Sequence, residues 1–210
     1  MKENLKFSNR SKGGIQKLAN KTTVALKESE YQNIIDAMIS GGSGFRPNRR
    51  IAFALILEAN LGIRIGDILK LTPRSFIKDG DRYRLNIQEE KTQKKRLFTV
   101  PAEIYALVQD YCIDYNIMPT EPLIPYKERN IQTYLAKVAD YLGYENISTH
   151  SFRKYFGTSI LKNNGYNFVL VQKIFQHSSP AITQRYLGIY SEEMEEALTK
   201  HVQIPKEFQK

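Results

Sequence analysis

His150 and Arg153 stand three residues apart, so on a helix they share a face and can reach one ligand together. His177 follows 24 residues after Arg153, and Tyr186 comes nine residues after His177. Between these last two, Ser179 can cap a helix whose first residue is Pro180, which sets Tyr186 near the end of a short helix ahead of Gly188. Far upstream, Gly62-Ile63-Arg64-Ile65-Gly66-Asp67 puts an arginine at the break between two helices, a place from which functional side chains often project. A tyrosine hydroxyl attacking a phosphodiester passes through a phosphorane whose added negative charge calls for planar, bidentate donors, and Arg64 and Arg153 supply such forks. Tyrosine with its ordinary pKa of about 10 is a poor nucleophile at neutral pH, so His150 is a sensible proton acceptor. His177 offers a further hydrogen bond to the phosphate, and Asp67 suits orienting Arg64 from behind. With two guanidiniums to carry the charge, neither a metal nor another cofactor is required.

The charge balance fits a polyanionic partner. The 210 residues hold 31 basic and 22 acidic side chains, a net charge of +9. Residues 1–25 carry six basic residues against Glu3 alone, which reads as a flexible basic arm, and from Asn146 to Ser191 there is no Asp or Glu at all. A single cysteine, Cys112, excludes an internal disulfide, and His150, His177 and His201 have no zinc-site spacing. The longest unbroken apolar stretch is Ile51–Leu57, too short to span a membrane, and the first residues lack a signal-peptide core. A cytoplasmic protein with nucleic acid as its partner and no membrane is the expectation.

The elements that must position these residues follow from periodicity. Tyr31, Ile34, Ile35 and Met38 mark an amphipathic helix over Glu28–Ser40, ended by a flexible connector at Gly41-Gly42-Ser43-Gly44. Helices are expected over Asn48–Asn60 and around Gly66–Lys70, then short strands at Phe76–Ile77, Tyr83–Ile87 and Leu97–Val100. Pro101 suits the start of the next helix, through Tyr111, followed by Asn130–Leu142, His150–Leu161, Val169–Phe175, Ala181–Tyr186 and Glu192–His201. The class is α+β, mainly helical, with one small antiparallel sheet and no alternation of strand and helix.

Taken together, these residues resemble the tyrosine recombinase (phage integrase) family over most of the chain. Arg64 with Asp67 is similar to its first arginine box, His150-Ser151-Phe152-Arg153 to its His-x-x-Arg box, and His177 through Tyr186 to its closing box. The family also uses a lysine on a β-hairpin between the first two boxes, and Glu90-Lys91-Thr92 resembles that site, with Lys94 and Lys95 as neighbours able to take its place. The resemblance implies a catalytic domain over 26–210 that cuts and rejoins DNA through a 3′-phosphotyrosine. Lys91 would protonate the leaving 5′ oxygen, and Lys94, Lys95, Arg96, Lys154 and Arg185 would contact DNA. It also implies double-stranded DNA carrying recombination sites as substrate, a homotetramer on that DNA, and an accessory DNA-bending protein.

Three departures stand out. Family members carry a helical core-binding domain of about a hundred residues ahead of the catalytic one. Only the basic arm precedes it here, as in minimal recombinases that invert promoter segments, or as in a catalytic fragment. Lys154 stands where a histidine is common, and Phe175-Gln176 replaces Leu-Gly. Competing readings are a type IB topoisomerase-like activity, a non-enzymatic DNA-binding regulator, and a metal-dependent nuclease using Glu89-Glu90-Lys91 after Asp79 and Asp81.

Overall fold

The computed structural model describes residues 23–188, apart from 92 and 94, together with 199 and 200. Most of the arm and most of the helix expected over Glu192–His201 therefore lie outside the described residues.

Helix α1 (Glu28–Ser40) has the expected bounds, and its Ile34, Ile35 and Met38 are buried. The glycines after it build a tight turn rather than a loose connector: Gly42 and Phe45 exchange backbone hydrogen bonds of 3.2 Å. A Cβ on Gly42 would lie 2.7 Å from the Phe45 ring, which is itself held edge-on against Tyr134 and Tyr141. Asn48 caps α2 (Arg49–Leu61), accepting the Ile51 N–H at 3.0 Å. Apolar nearly all round, α2 has nine buried residues and forms the centre of the core, against α1, α3 (Ile65–Ile68) and α6 (Thr149–Asn163).

A 3₁₀ turn at Pro73–Ser75 leads into a three-stranded antiparallel meander, β1 (Phe76–Asp79), β2 (Arg82–Gln88) and β3 (Lys95–Val100). Leu85 of β2 pairs with Phe76 on one side and Phe98 on the other, which turns the buried face of the sheet toward the core. The strands outrun their apolar residues because ladder hydrogen bonds are made by backbone, whatever the side chain. Helices α4 (Ala102–Asp114) and α5 (Glu128–Tyr141) close the main core through Val108, Tyr111, Ile131, Leu135 and Val138.

A smaller apolar cluster, Leu161, Val171, Phe175 and Leu187, joins the C-terminal half of α6 to α7 (Phe168–Phe175) and α8 (Pro180–Leu187). Ser179 caps α8 with Pro180 as its first residue, and Gly188 ends it in the left-handed conformation. The chain joins the body before residue 26: Thr23 Oγ1 lies 3.1 Å from Ser148 Oγ, and Val24 N–H donates to the Asn146 carbonyl at 3.4 Å. No helix among the described residues is long and apolar enough to cross a membrane.

Gly157 is the point where α6 lets α7 and α8 approach, since a Cβ there would lie 2.6 Å from Phe175 and 2.8 Å from Leu187. Gly157→Ala should therefore destabilise by about 1–3 kcal/mol through overpacking, read as a lower urea midpoint. A wild-type midpoint would show that α7 and α8 shift without cost.

Candidate active site

Gly62 ends α2 in the left-handed conformation, with φ of +59°, and turns the chain so that Arg64 stands at the N-cap of α3. A Cβ on Gly62 would fall 2.2 Å from the Phe156 ring, so both backbone and space require glycine. The Gly62 carbonyl accepts Arg153 Nη1 at 2.5 Å. Arg153 is 2% exposed, and its guanidinium carbon lies 4.5 Å above the centre of the Phe175 ring. This one side chain thus ties the α2 terminus to the α7–α8 unit.

Ser148 starts α6 with a capping box, its N–H donating to Ser151 Oγ at 3.1 Å. That fixes the first turn and sends His150 and Arg153 to one side of the helix. His150 is exposed at the rim. Partial burial lowers its pKa below the usual 6.5, helped by the positive fields of Arg153, Arg64 and Lys91 against the opposing charge of Glu128. His150 is consequently neutral at pH 7, and all three cations lie within electrostatic reach of it.

Tyr186 comes to the same place from α8. Its hydroxyl is buried, its ring is edge-on to Phe175 at 5.6 Å and to His177 at 5.5 Å between centroids. Burial raises the phenol pKa above 10.0, opposed by the positive fields of Arg153 and Arg64 and reinforced by the negative field of Glu58. His177 Nδ1 lies 3.0 Å from Thr183 Oγ1, which is fully buried in α8 and fixes the imidazole's orientation. Lys91 is exposed in the turn after β2, which is closed by the Gln93 N–H donating to the Glu89 carbonyl at 2.8 Å.

Other candidates stand differently from expectation. Asp67 Oδ1 accepts the backbone N–H of Glu90 at 2.9 Å, so it grips the end of the β2 turn, while the Arg64 guanidinium is taken by Glu89 at 2.7 Å. Lys154, expected at DNA, is instead 8% exposed. Its ammonium donates to the Thr23 carbonyl at 2.6 Å and lies 5.5 Å from the centre of the Tyr186 ring, because its place on α6 faces the entering chain rather than solvent. Lys95 and Arg185 are exposed, Arg96 pairs with Ile87 in the sheet register, and Lys94 lies outside the described residues. The acids of the nuclease reading are dispersed, Glu89 against Arg64 and Asp79 against Arg84 at the far end of β2.

Sequence reasoning missed Glu58. It is fully buried on α2, and burial holds its carboxyl well above the usual 4.5 despite the nearby Arg153 and the Ile65 N–H. The available signal was a lone acid directly after the apolar run Ile51–Leu57.

Comparison with known proteins assigns the family and the fold. The description of the phage integrase family matches residues 25–193, most of the chain. The chain belongs to the phage integrase family. Among curated relatives of this integrase-family chain, the probable integrase/recombinase YoeC of Bacillus subtilis is 34% identical over 147 residues, covering 68% of this chain and 79% of that protein. The tyrosine recombinase XerC of Bradyrhizobium diazoefficiens is 31% identical over 154 residues, covering 69% and 47%. The chain thus spans about half the length of that XerC relative. Among solved structures, XerA recombinase superposes with a TM-score of 0.64 at 21% identity, covering 87% of this chain and 65% of that one. The catalytic domain of bacteriophage HP1 integrase gives 0.58 at 17%, covering 85% and 95%. The fold is that of tyrosine recombinase catalytic domains.

Glu58 gives this integrase-family chain a pH signature. Its folded pKa is raised, so between 4.5 and that higher value the folded state binds more protons than the unfolded state, and stability falls as pH rises. Glu58→Gln removes the titration. Its thermal midpoint relative to wild type should move upward between pH 5 and 8, whereas parallel curves would show an unperturbed carboxyl.

Proposed function

We propose that this chain is a site-specific DNA recombinase that cuts and rejoins duplex DNA through a 3′-phosphotyrosine at Tyr186. The observation that carries this reading is a buried tyrosine hydroxyl, its ring against Phe175 and His177, within electrostatic reach of Arg153 and Arg64 of its own chain. In the proposed step the Tyr186 Oη–P bond forms as the P–O5′ bond breaks. The phenolic proton passes to His150, which burial and three cations keep unprotonated at pH 7. Arg64 and Arg153 bind the non-bridging oxygens as charge builds, His177 adds a hydrogen bond, and Lys91 protonates the departing 5′ oxygen. Asp67 serves from behind, by holding the turn that carries Lys91. Since a phosphodiester is exchanged for a phosphodiester, the bond energy is retained and religation by a 5′ hydroxyl needs no ATP.

Strand exchange needs more than one protomer. The solved neighbours include XerH bound to a palindromic difH substrate and a lambda integrase dimer bound to a core site. By that likeness we assign this chain duplex DNA carrying recombination sites; beyond what the likeness supports, we propose a homotetramer on that DNA, an accessory DNA-bending protein and a cytoplasmic location. Residues 1–25, Lys95, Arg96 and Arg185 would add backbone contacts.

On a nicked duplex carrying its site, the wild type should form a denaturant-resistant covalent complex in EDTA. Tyr186→Phe should keep DNA affinity and lose that complex completely. A complex formed by the Phe variant, or one abolished by EDTA, would end this reading. Relaxation of supercoiled DNA of any sequence would assign a topoisomerase instead, and binding without any adduct a regulator.

We further propose that cleavage is cis, since Tyr186 lies within electrostatic reach of Arg153 and Arg64 of its own chain. A mixture of Tyr186→Phe with Arg64→Ala should therefore form no covalent complex. Complementation would show that the tyrosine is delivered to a neighbour.

A further inference from the structure

The end of β2 carries an acid that the proposed reaction leaves without a role. Glu89 is 1% exposed, and its Oε2 lies 2.7 Å from Nη1 of Arg64, itself 24% exposed. Taking a carboxylate out of water is costly unless it is paired, and here the pair joins it to an arginine meant for a phosphate. An acid in that place repels the substrate, so its presence calls for a compensating gain.

The backbone around Glu89 shows what that gain is. Glu90, the next residue, gives its N–H to Asp67 Oδ1 at 2.9 Å, and the Glu89 carbonyl accepts from Gln93 at 2.8 Å. Arg64 and Asp67, three apart at the start of α3, thus grip two successive residues of the β2 end, one through a side chain and one through backbone. The carboxylate is fixed in position before it meets the guanidinium. Arg64 has a long side chain with much rotamer freedom to lose, and a fixed acceptor on one Nη removes that freedom in advance.

We infer that Glu89 is a positioning residue for Arg64: its buried carboxylate holds the guanidinium from the side so that the rest of the fork is presented to the scissile phosphate. The same contact couples the aim of Arg64 to the turn bearing Lys91, two residues on. This inference rests on the recombinase reading above.

The test is single-turnover formation of the covalent complex on the nicked substrate, with DNA dissociation constants measured in parallel. Glu89→Ala should slow the covalent step by about 10- to 100-fold, the range seen when a partner that orients a functional side chain is lost. DNA binding should stay equal or tighten, since a negative charge has gone. Glu89→Gln keeps an acceptor of the same length and should recover most of the rate. Glu89→Asp, which retains the charge but withdraws it by one methylene, should not.

In an Arg64→Ala background, Glu89→Ala should change the rate by less than about 2-fold, because the group through which it acts is absent. A wild-type rate for Glu89→Ala and Glu89→Asp would overturn the inference. So would losses that multiply in the double variant, which would mark a structural role for the turn. If the wild type itself formed no adduct, the recombinase reading would fail first, and the inference with it.

Discussion

The buried guanidinium of Arg153 is the constraint on which the rest of this molecule depends. A positive charge that is 2% exposed must find its partners inside the protein, and these lie on separate elements: the Gly62 carbonyl at the end of α2 and the face of Phe175 on α7, whose ring in turn meets Tyr186 of α8 edge-on. Satisfying it therefore fixes where α2 must stop and how the α7–α8 unit must sit on α6. Gly62 and Gly157 are glycines for the same reason, since a Cβ at either would push Phe156 or Phe175 out of the arrangement. The residues that would bind phosphate are thus held by the fold rather than placed upon it.

A second consequence concerns charge. The chain is strongly positive overall, yet four acids act on the basic site: Glu58 lies in the field of Arg153, Glu89 pairs with Arg64, Asp67 holds the turn, and Glu128 opposes the cations around His150. Exposed charge draws in a polyanion over a distance set by salt, whereas buried charge acts only at contact. The buried carboxyls of Glu58, Asp67 and Glu89 act on alignment, and the exposed bases act on attraction. Arg64 sits at the boundary, partly exposed to the ligand side and tied to a carboxylate that water does not reach.

What the sequence disclosed follows the same division. Periodicity gave α1 its bounds, and capping chemistry gave α8 its Ser179 and Pro180, because these signals are local to the backbone they govern. His150, Arg153, His177 and Tyr186 were legible because their spacing along helices is itself local, and the structure brings them together with Arg64. Long-range facts were not legible. Lys154 looks like a surface base until the chain at Thr23 folds over it. Nothing in Glu89-Glu90-Lys91 says that the first acid turns inward to an arginine 25 residues earlier while the second meets Lys70 at the surface. Gly41-Gly42-Ser43-Gly44 reads as slack, but Phe45, anchored on α5, makes it a fitted turn.

The resting state of Tyr186 connects this packing to control of the chemistry. Burial keeps its phenol protonated well above neutral pH, so the proposed nucleophile would be stored in an unreactive form. Arg153 works in the other direction, favouring the phenolate, and the buried carboxyl of Glu58 opposes it. A phosphate entering between the two arginines would bring its own negative charge into this balance and raise the barrier to forming a free phenolate still further. Attack is then easiest when the proton leaves as the bond to phosphorus forms, which requires His150 and the phosphate to be present together. On the proposed reading, a tyrosine guarded in this way would react with a phosphodiester seated in the site and stay silent without one.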